Sequence, residues 1–265
     1  MLAAALWGGM YVVSKVAFSD VPPITLGLVR LLIGAPVLLV FLRRRPTWRD
    51  RRVAGLGAVL AATLMLQFWG TDLAGAAAGS VVTLTTPVFV AALAPFLLGE
   101  ATRPRQWAGI ATALLGAGVI SGGGRGTVFG DLLLLGAALT WALFTVLGAP
   151  LVRRLGALDV TAAATAWAVP FMLPGTVLEL AASPHLHAGF GTLLAVLYLG
   201  VLATAVAWWA WYRGVQRLPA VTASVFFLAQ PAVGVVLSAL FLATPLSLWF
   251  LGGAVLVAMG MLLAT

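Results

Sequence analysis

Two stretches of this chain, SVVTLTTPVFVAALAPFLL at 80–98 and SVFFLAQPAVGVVLSALFL at 224–242, are similar along their whole length. When the window 80–116 is shifted by 144 positions, eight of its 37 residues are identical to their counterparts, and Pro87 falls on Pro231. Both stretches are apolar and neither contains a charged residue. They predict one helical unit that occurs twice and is interrupted each time at the same proline.

The repeat divides the chain into a first half, 1–121, and a second half, 129–265, each with five predicted helices. Near the start of each half, ALW and LTW align Trp7 with Trp141. Because five is an odd number, the second half would enter the membrane from the side opposite to the first. Inverted repeats of this kind are an architecture of secondary transporters.

The composition places the chain in a membrane. Of its 265 residues, 62% are hydrophobic and 8% are charged, whereas a soluble domain has about 45–50% and about 25%. So few charged side chains do not cover the surface of a soluble fold. The net charge of +8 does not indicate a nucleic-acid partner, because the basic residues lie in short gaps between apolar runs. The absence of cysteine excludes disulfides and thiolate metal sites.

Ten apolar runs approach the length of a helix that crosses the membrane, which takes about 20 residues. Polar or Pro/Gly-rich breaks separate them, such as RRRPTWRDRR at 43–52. We therefore predict an all-α integral membrane protein with ten transmembrane helices, arranged as two inverted five-helix repeats in one membrane domain. The predicted spans are 2–19, 24–42, 53–71, 75–98, 105–121, 129–151, 160–180, 190–212, 219–242 and 246–264.

The loop arginines predict the orientation. Twelve lie in the second, fourth, sixth and eighth loops, and only Arg125 lies in the loops on the opposite side. The positive-inside rule places the arginine-rich loops in the cytoplasm, and an even number of spans then leaves both termini cytoplasmic. The twelve are Arg43, Arg44, Arg45, Arg49, Arg51, Arg52, Arg103, Arg105, Arg153, Arg154, Arg213 and Arg217.

Two cations lie within predicted spans, Lys15 in the first and Arg30 in the second. A charge at membrane depth is costly and usually functional. The alternative for Lys15, near the outer end of its helix, is snorkelling to the interface, and the alternative for Arg30 is a structural pair with a backbone carbonyl. No Asp or Glu falls in mid-span. A cavity would therefore present positive charge, which favours a substrate with a carboxylate or other anionic group.

The matched prolines Pro87 and Pro231 point to a binding site near the midplane, because helix interruptions at corresponding positions of two repeats mark such sites. Proline also frees a backbone carbonyl that must find a partner. Thr86 and Gln230 each precede one proline and are predicted to contact the pathway. The alternative is a kink that serves helix packing alone.

Helical spacing collects further polar and aromatic side chains onto single faces. An interior cavity needs such groups, and the alternative for each Trp or Tyr is the aromatic belt at the membrane interface. For Trp211 and Tyr212, which lie beside Arg213, the belt is the favoured interpretation. The faces are Trp7, Tyr11, Ser14 and Lys15 in the first helix, Thr63 and Gln67 in the third, Trp141 and Thr145 in the sixth, and Thr204, Trp208, Trp211 and Tyr212 in the eighth.

Small residues predict tight helix packing rather than a ligand site. Gly109, Ala113 and Ala117 form a stripe on the fifth helix, and Gly252 and Gly260 form a weaker one on the tenth.

No metal site or cofactor is expected. His185 and His187 lie in an outer loop without a third ligand. The GGGRG sequence at 122–126 follows no strand, so it is not a phosphate-binding loop.

The order and spacing of four motifs resemble the EamA-type transporters of the drug/metabolite transporter superfamily, over essentially the whole chain. The motifs are LWGGMYVVSK at 6–15, LVRLLIGA at 28–35, TPVFVAALAPFLLGE at 86–100 and QPAVGVVLSALFLAT at 230–244. The resemblance implies a ten-helix inner-membrane carrier, often an exporter of amino acids, related metabolites or toxic compounds. It also implies that the first helix from Trp7 to Lys15, Arg30 and the two proline helices surround the pathway.

One departure from the family pattern concerns the end of the ninth helix. The family commonly has Gly-Glu there, as Gly99–Glu100 has at the end of the fourth helix, but this chain has Ala243–Thr244. Glu100 is therefore expected to act alone at the cytoplasmic end.

The leading functional hypothesis is a secondary transporter, not an enzyme, in the bacterial cytoplasmic membrane, with a small-molecule substrate and the lipid bilayer as partners. It would work by alternating access, with a midplane site between the halves. The alternatives are an integral-membrane enzyme acting on lipid-linked substrates and a non-transporting membrane scaffold. A homodimer is compatible with the sequence but has no support in it.

Overall fold

The computed structural model describes residues 2–42, 50–121, 127–187, 189–230 and 248–264, and every regular element in these ranges is helical. We label the helices in chain order. They are α1 (Leu2–Ala17, with a break at Gly9), α2 (Pro23–Val40), α3 (Arg51–Ala74), α4 (76–98), α5 (Pro104–Ser121), α6 (Val128–Leu155), α7 (Ala157–Ala182), α8 (Phe190–Arg217), α9 (Ala220–Ala229) and α10 (Leu248–Ala264).

Six of these helices are long and apolar enough to cross a membrane: α2, α3, the 78–98 part of α4, α6, α7 and α8. Shorter apolar helices occupy Leu2–Ala17, Ala220–Ala229 and Leu251–Ala264. The chain is therefore a helical, multi-pass membrane protein. The number of ten crossings, the inverted repeat and the side of the termini stay predictions.

The predicted interruption at Pro87 is confirmed. In α4, an α-helix over Ala76–Val82 gives way to a 3₁₀ turn at Thr83–Thr85, and a new α-helix begins at Thr86. Pro87 lies in the first turn of that new helix, where its missing N–H costs no hydrogen bond. In α9 a 3₁₀ turn at Phe226–Ala229 directly precedes Gln230.

Several predictions fall on residues that the structure does not describe. These are the interruption at Pro231, the loop at 122–126 with Arg125, the arginines at 43, 44, 45 and 49, the Ala243–Thr244 pair and the side chain of Ala117.

The helix α8 contains a feature that the sequence did not predict, a π-helical segment at Tyr198–Val206. Its wider turns change which backbone carbonyls find partners inside the helix, and π-segments of this kind occur frequently at functional sites. The helix α2 packs against this segment and against α7. In parallel, α4 packs against α9, so helices at corresponding positions of the two halves are in contact.

The predicted small-residue seam between α5 and α10 is present, with one correction. A methyl group at Gly109 would lie 2.5 Å from the carbonyl oxygen of Gly260, and one at Gly116 would lie 2.6 Å from that of Gly253. The two backbones therefore touch, and only glycine fits. Gly252 meets open space instead, so its assignment to the seam was wrong by one position.

Candidate functional site

A cavity lies at the centre of the bundle. Space of about 380 Å³ is free of protein atoms there, but only about 20 Å³ admits the centre of a water-sized molecule, which is room for about one water. All the lining residues except Gln67 are buried. They are Trp7, Met10, Arg30, Thr63, Leu64, Gln67, Thr83, Thr86, Ala137, Ala138, Trp141, Trp208, Phe227 and Gln230.

Many of the residues singled out in the sequence meet at this cavity although they come from both halves of the chain. They are Trp7, Arg30, Gln67, Thr86, Trp141, Trp208 and Gln230. Tyr11, Ser14, Pro87 and Thr145 are buried but do not line it. Sequence reasoning did not select Met10, Leu64, Thr83, Ala137, Ala138 or Phe227, and it placed Thr63 only on the face of Gln67.

The Arg30 side chain is completely buried, with 0% of its surface exposed. Its Nε donates to Thr204 Oγ1 at 2.7 Å, and its Nη2 donates to the Ala203 carbonyl at 3.0 Å. Its Nη1 meets only the Met10 sulfur, at 3.4 Å, a weak acceptor. A guanidinium has five N–H groups, so Arg30 retains donors that no oxygen of the described residues accepts.

Aromatic rings hold the Arg30 guanidinium from two sides. Its central carbon lies 5.4 Å from the centroid of Phe68 and 5.3 Å from that of Trp208. Such cation–π contacts stabilise a desolvated cation. Within the described ranges no carboxylate lies at ion-pair distance from Arg30. The cation is therefore oriented by its surroundings but not neutralised by them.

The π-segment of α8 provides the acceptors for this arrangement. The Thr204 hydroxyl donates to the Leu199 carbonyl, five residues earlier, at 2.7 Å, while it accepts from Arg30. The Ala203 carbonyl accepts from Arg30 and also from Trp7 Nε1, at 2.9 Å. One backbone oxygen thus fixes two cavity side chains. No sequence signal could identify Ala203, because only its backbone takes part.

Four aromatic residues form the apolar wall of the cavity. The rings of Trp7 and Trp141 meet edge to face with centroids 5.3 Å apart, and Phe227 lies 5.5 Å from Trp7. Trp208 lies 6.2 Å from Trp141. All four residues are buried, so they face the interior of the bundle rather than the lipid.

The interfacial interpretation of Trp211 and Tyr212 was wrong. Both side chains are buried against α6. Trp211 Nε1 donates to Thr145 Oγ1 at 3.2 Å, and the Tyr212 hydroxyl donates to the Phe144 carbonyl at 2.9 Å. Thr145 in turn donates to the Trp141 carbonyl at 3.0 Å. These residues support the cavity wall from behind.

Two buried polar groups of the cavity have no hydrogen-bond partner among the described residues. They are the Trp141 Nε1 and both amide atoms of Gln230. Buried polar groups are satisfied in the great majority of cases, so unsatisfied ones among the lining residues make the cavity a candidate ligand site. Ser14 Oγ is also buried without a partner, but it does not line the cavity.

A chain of hydrogen bonds joins α1, α3 and α4 beside the cavity. The Tyr11 hydroxyl lies 2.6 Å from Thr83 Oγ1 and accepts from Gln67 Nε2 at 2.9 Å. Because the Thr83 hydroxyl donates to the Gly79 carbonyl at 2.7 Å, the Tyr11 hydroxyl is the donor to Thr83. Thr86 donates to the Thr83 carbonyl at 2.7 Å, which satisfies a carbonyl in the 3₁₀ turn before Pro87.

Lys15 does not reach the cavity. Its Nζ lies 2.9 Å from the Asp72 carboxylate and 2.7 Å from the Asp72 carbonyl, and 42% of its side chain is exposed. The structure therefore places it in a surface ion pair at the end of the bundle, unlike Arg30.

At the end of the bundle where α4 ends and α9 begins, Glu100 connects the two halves. Its Oε1 accepts from Arg153 Nη2 at 2.8 Å, and its Oε2 accepts from the backbone N–H of Ala220 at 2.8 Å. The Ala220 N–H is in the first turn of α9, where backbone donors lack partners within the helix. A second contact, Arg154 to Asp50 at 2.8 Å, also joins the halves at this end.

At the opposite end of the bundle, where α7 ends and α2 begins, Glu179 of the second half contacts the first half. Its carboxylate accepts from the N–H groups of Ile24 at 2.9 Å and Thr25 at 2.6 Å, and from the Thr25 hydroxyl. Asp20 of the first half also bonds the Thr192 hydroxyl of the second. Sequence reasoning assigned Glu179 only to a helix end and did not find this contact.

Known proteins resemble this chain over most of its length. The model of the EamA-like transporter family matches residues 1–122 and 128–265. An uncharacterized transporter of Archaeoglobus fulgidus is 28% identical over 246 residues, which are 87% of this chain and 83% of that protein. The uncharacterized inner membrane transporter YedA of Escherichia coli K12 is 29% identical over 88% of this chain and 78% of its own length.

A probable terminal-alkyne amino-acid exporter of Streptantibioticus cattleyicolor is 29% identical over 99% of this chain and 91% of its own length. A protein of known crystal structure superposes with a TM-score of 0.81 at 23% identity, covering 100% of this chain and 94% of the other. That likeness shows a shared fold. The chain belongs to the EamA-like transporter family.

Proposed function

We propose that this chain is a secondary transporter that exports amino acids or related small metabolites by alternating access, with its binding site at the central cavity. The observation that carries the proposal is the buried guanidinium of Arg30, which retains free N–H donors in the same cavity as the unpartnered Trp141 and Gln230.

The Arg30 cation favours a substrate with a carboxylate. Burying a charge without an opposite charge costs several kcal/mol even after relaxation, by order of magnitude. A substrate carboxylate offsets this cost, and a guanidinium binds it through two parallel hydrogen bonds. A neutral or cationic substrate would leave the cost in place.

The other lining groups fit the remainder of an amino acid. Gln230 Oε1 is an unpartnered acceptor that suits an ammonium group, and its Nε2 is a spare donor. The aromatic wall suits an apolar side chain, because most ligand sites combine apolar walls with a few polar groups that fix orientation. The amino-acid exporter among the relatives supports the same substrate class.

The size of the cavity and the contacts at its two ends support alternating access. Room for about one water does not hold an amino acid, so the substrate enters only when the halves separate at one end. Glu100 and Asp50 hold the end that the loop arginines predict to be cytoplasmic, called the inner end, and Glu179 and Asp20 hold the opposite, outer end. The conformation is therefore occluded, and each transport cycle requires the two sets of contacts to break in turn.

The energy for transport would come from an ion gradient, the membrane potential or exchange, since no nucleotide-binding motif is present in the sequence. A catalytic role on lipid-linked substrates is less well supported, because no histidine or carboxylate is found among the described residues that line the cavity.

Transport by purified protein tests the proposal directly. Proteoliposomes loaded with an unlabelled amino acid should accumulate the labelled form by exchange, and a growth-inhibition screen with amino acids and toxic analogues selects which to use. The control is loaded liposomes without the protein. If exchange were no faster than in this control for every compound to which the protein gives resistance in cells, the chain would not be a transporter.

A further inference from the structure

A groove on the surface of the bundle runs between α3, the end of α4 and α6, apart from the central cavity. It encloses about 550 Å³, and its lining is apolar apart from Arg52 and Arg154. Leu97, Leu147 and Pro150 in its walls are exposed. In a membrane these side chains face the hydrocarbon of the lipids.

The two arginines lie at the same end of the groove. Arg52 is in the first turn of α3, and Arg154 is in the last turn of α6. From Arg52 the α3 wall continues through Leu56 to Val59, a length of about 10 Å at about 1.5 Å per residue. The groove is therefore charged where it meets the membrane interface and apolar at greater depth, which is the polarity of a phospholipid.

The charge at this end is positive. Arg154 donates to Asp50 at 2.8 Å, but 55% of the Arg154 side chain is exposed and most of its N–H groups remain available. Asp50 is also used by the backbone N–H of Arg52, at 2.9 Å. The exposed Arg52 side chain has no partner among the described residues, and Arg51 beside it is exposed as well. Among the described residues, the Asp50 carboxylate thus opposes the two guanidinium groups that line the groove.

We propose that this groove binds one anionic phospholipid, with the phosphodiester of the headgroup on Arg52 and Arg154 and an acyl chain along α3 and α6. Guanidinium groups bind phosphate oxygens through paired, charge-assisted hydrogen bonds. Basic pockets between transmembrane helices on the cytoplasmic side bind anionic headgroups, and the positive-inside rule places this end of the bundle there. The apolar depth of the groove selects a lipid over a soluble phosphate.

Gly55 lines the groove and is exposed. No atom lies within 4 Å of the place where its Cβ would be. A side chain there would occupy the space of the acyl chain without colliding with the protein. The apolar walls do not distinguish one lipid from another, because acyl chains are equally solvated by the bilayer. Selectivity therefore belongs to the arginines.

Photocrosslinking tests the site. The protein is reconstituted in phosphatidylcholine vesicles that contain a trace of phosphatidylglycerol with a photoreactive acyl chain, and labelled peptides are mapped by mass spectrometry. We expect labelling in 52–59 and 146–154, with unlabelled phosphatidylglycerol as a better competitor than phosphatidylcholine. Each arginine changed to Gln should weaken labelling by phosphatidylglycerol about fivefold, and Gly55→Leu should remove it.

Matched variants and a second competitor make the outcome decisive. Gly252, on α10, also faces open space, so Gly252→Leu should leave labelling in the groove unchanged, as should Arg213→Gln at the end of α8. If phosphatidylglycerol and phosphatidylcholine competed equally for labelling of the unaltered protein, the proposal would be overturned. It would also be overturned if the control variants lost as much labelling as the groove variants. Suppression by soluble glycerol phosphate would identify a simple anion site instead. None of these results depends on transport activity.

Discussion

Glu179 and Thr25 are joined by two hydrogen bonds across 154 residues of chain: the carboxylate accepts from the Thr25 backbone N–H at 2.6 Å and from its hydroxyl at 2.8 Å. The contact caps α2, the helix that carries Arg30. At the opposite end, Glu100 caps α9, which leads to Gln230, through the N–H of Ala220. Each carboxylate thus belongs to one half of the chain and positions a cavity helix of the other half.

These two caps predict opposite shifts of the transport cycle. Glu179→Ala should favour opening at the outer end, and Glu100→Ala should favour opening at the inner end, since an N-terminal cap contributes about 1 kcal/mol, or a factor of about 5. A cysteine at position 86 or 230, treated with an impermeant thiol reagent from each side of the membrane, reports the difference. Asp72→Asn, which alters the surface pair with Lys15, is the matched control. If both Ala variants raised labelling from the same side, the two caps would not act as opposing contacts.

Arg30→Ala should leave the protein in the membrane but abolish transport. Truncating one member of a buried, hydrogen-bonded charge pair costs about 2–5 kcal/mol, which at the lower limit is a loss of substrate affinity of about thirtyfold. Arg30→Lys should retain little activity, because an ammonium cannot form the two parallel bonds of a guanidinium. Uptake into proteoliposomes measures the effect, and membrane insertion is followed on immunoblots.

The control for Arg30 is Lys15→Ala, which alters a cation outside the cavity and should transport normally. Normal transport by Arg30→Ala would remove the argument for an anionic substrate.

The contrast between Arg30 and Lys15 illustrates how far the sequence leads. Both are cations inside predicted spans, and the sequence left a cavity role open for each beside a structural alternative. Their different places depend on tertiary neighbours: Asp72 for Lys15, and the carbonyl and hydroxyl of α8 for Arg30. Whether a segment is helical, and which of its faces carries polar and aromatic side chains, can be read from neighbouring residues alone. Trp7, Gln67 and Trp141 were therefore predicted at a cavity, and they line it.

Other parts of the site were beyond such reasoning for physical reasons. The acceptor for Arg30 and Trp7 is the backbone carbonyl of Ala203, in the π-segment of α8. A backbone group has no signature in the sequence, so it could not be predicted. Trp211 and Tyr212 appear interfacial by their position beside Arg213, yet the packing of α8 on α6 buries them. Gly252 and Gly253 are neighbours in sequence, and only the helix register decides which one enters the seam with α5.

The seam between α5 and α10 predicts opposite effects for one substitution at two glycines of the same helix. A methyl group at Gly260 would lie 2.5 Å from the Gly109 carbonyl, so Gly260→Ala should destabilise the fold by about 1–3 kcal/mol, as overpacking does. Gly252→Ala meets open space and should stabilise slightly, by up to about 1 kcal/mol, because alanine favours the helix. Thermal unfolding in detergent compares the two. Equal effects would mean that the helices do not pack as described.

The orientation in the membrane is predicted by the twelve loop arginines against one. Reporter fusions at residues 47 and 123 should report opposite sides, with 47 cytoplasmic, because the two positions lie in the second and fifth loops of the predicted ten spans. A phosphatase that is active only outside the cytoplasm and a fluorescent protein that folds only inside it give complementary signals. Both positions on one side would rule out two inverted five-helix repeats.

The two residues that precede the matched prolines should line the substrate pathway. Thr86 and Gln230 lie at equivalent positions of the repeat, and both line the central cavity. The chain has no native cysteine, so Thr86→Cys and Gln230→Cys introduce single reactive groups. Both should react with small polar thiol reagents once the halves separate during the cycle, and the transported substrate should slow that reaction.

Two buried positions away from the cavity provide the control. Ala113 and Val257 are 0% and 3% exposed and lie in or beside the seam of α5 and α10, where the two backbones touch. Ala113→Cys and Val257→Cys should therefore react far more slowly and without substrate protection. If these controls reacted as fast as positions 86 and 230, reagent access would reflect general loosening of the bundle. Protection at neither cavity position would place the substrate site elsewhere, because a ligand bound beside Arg30 occupies the cavity that both positions line.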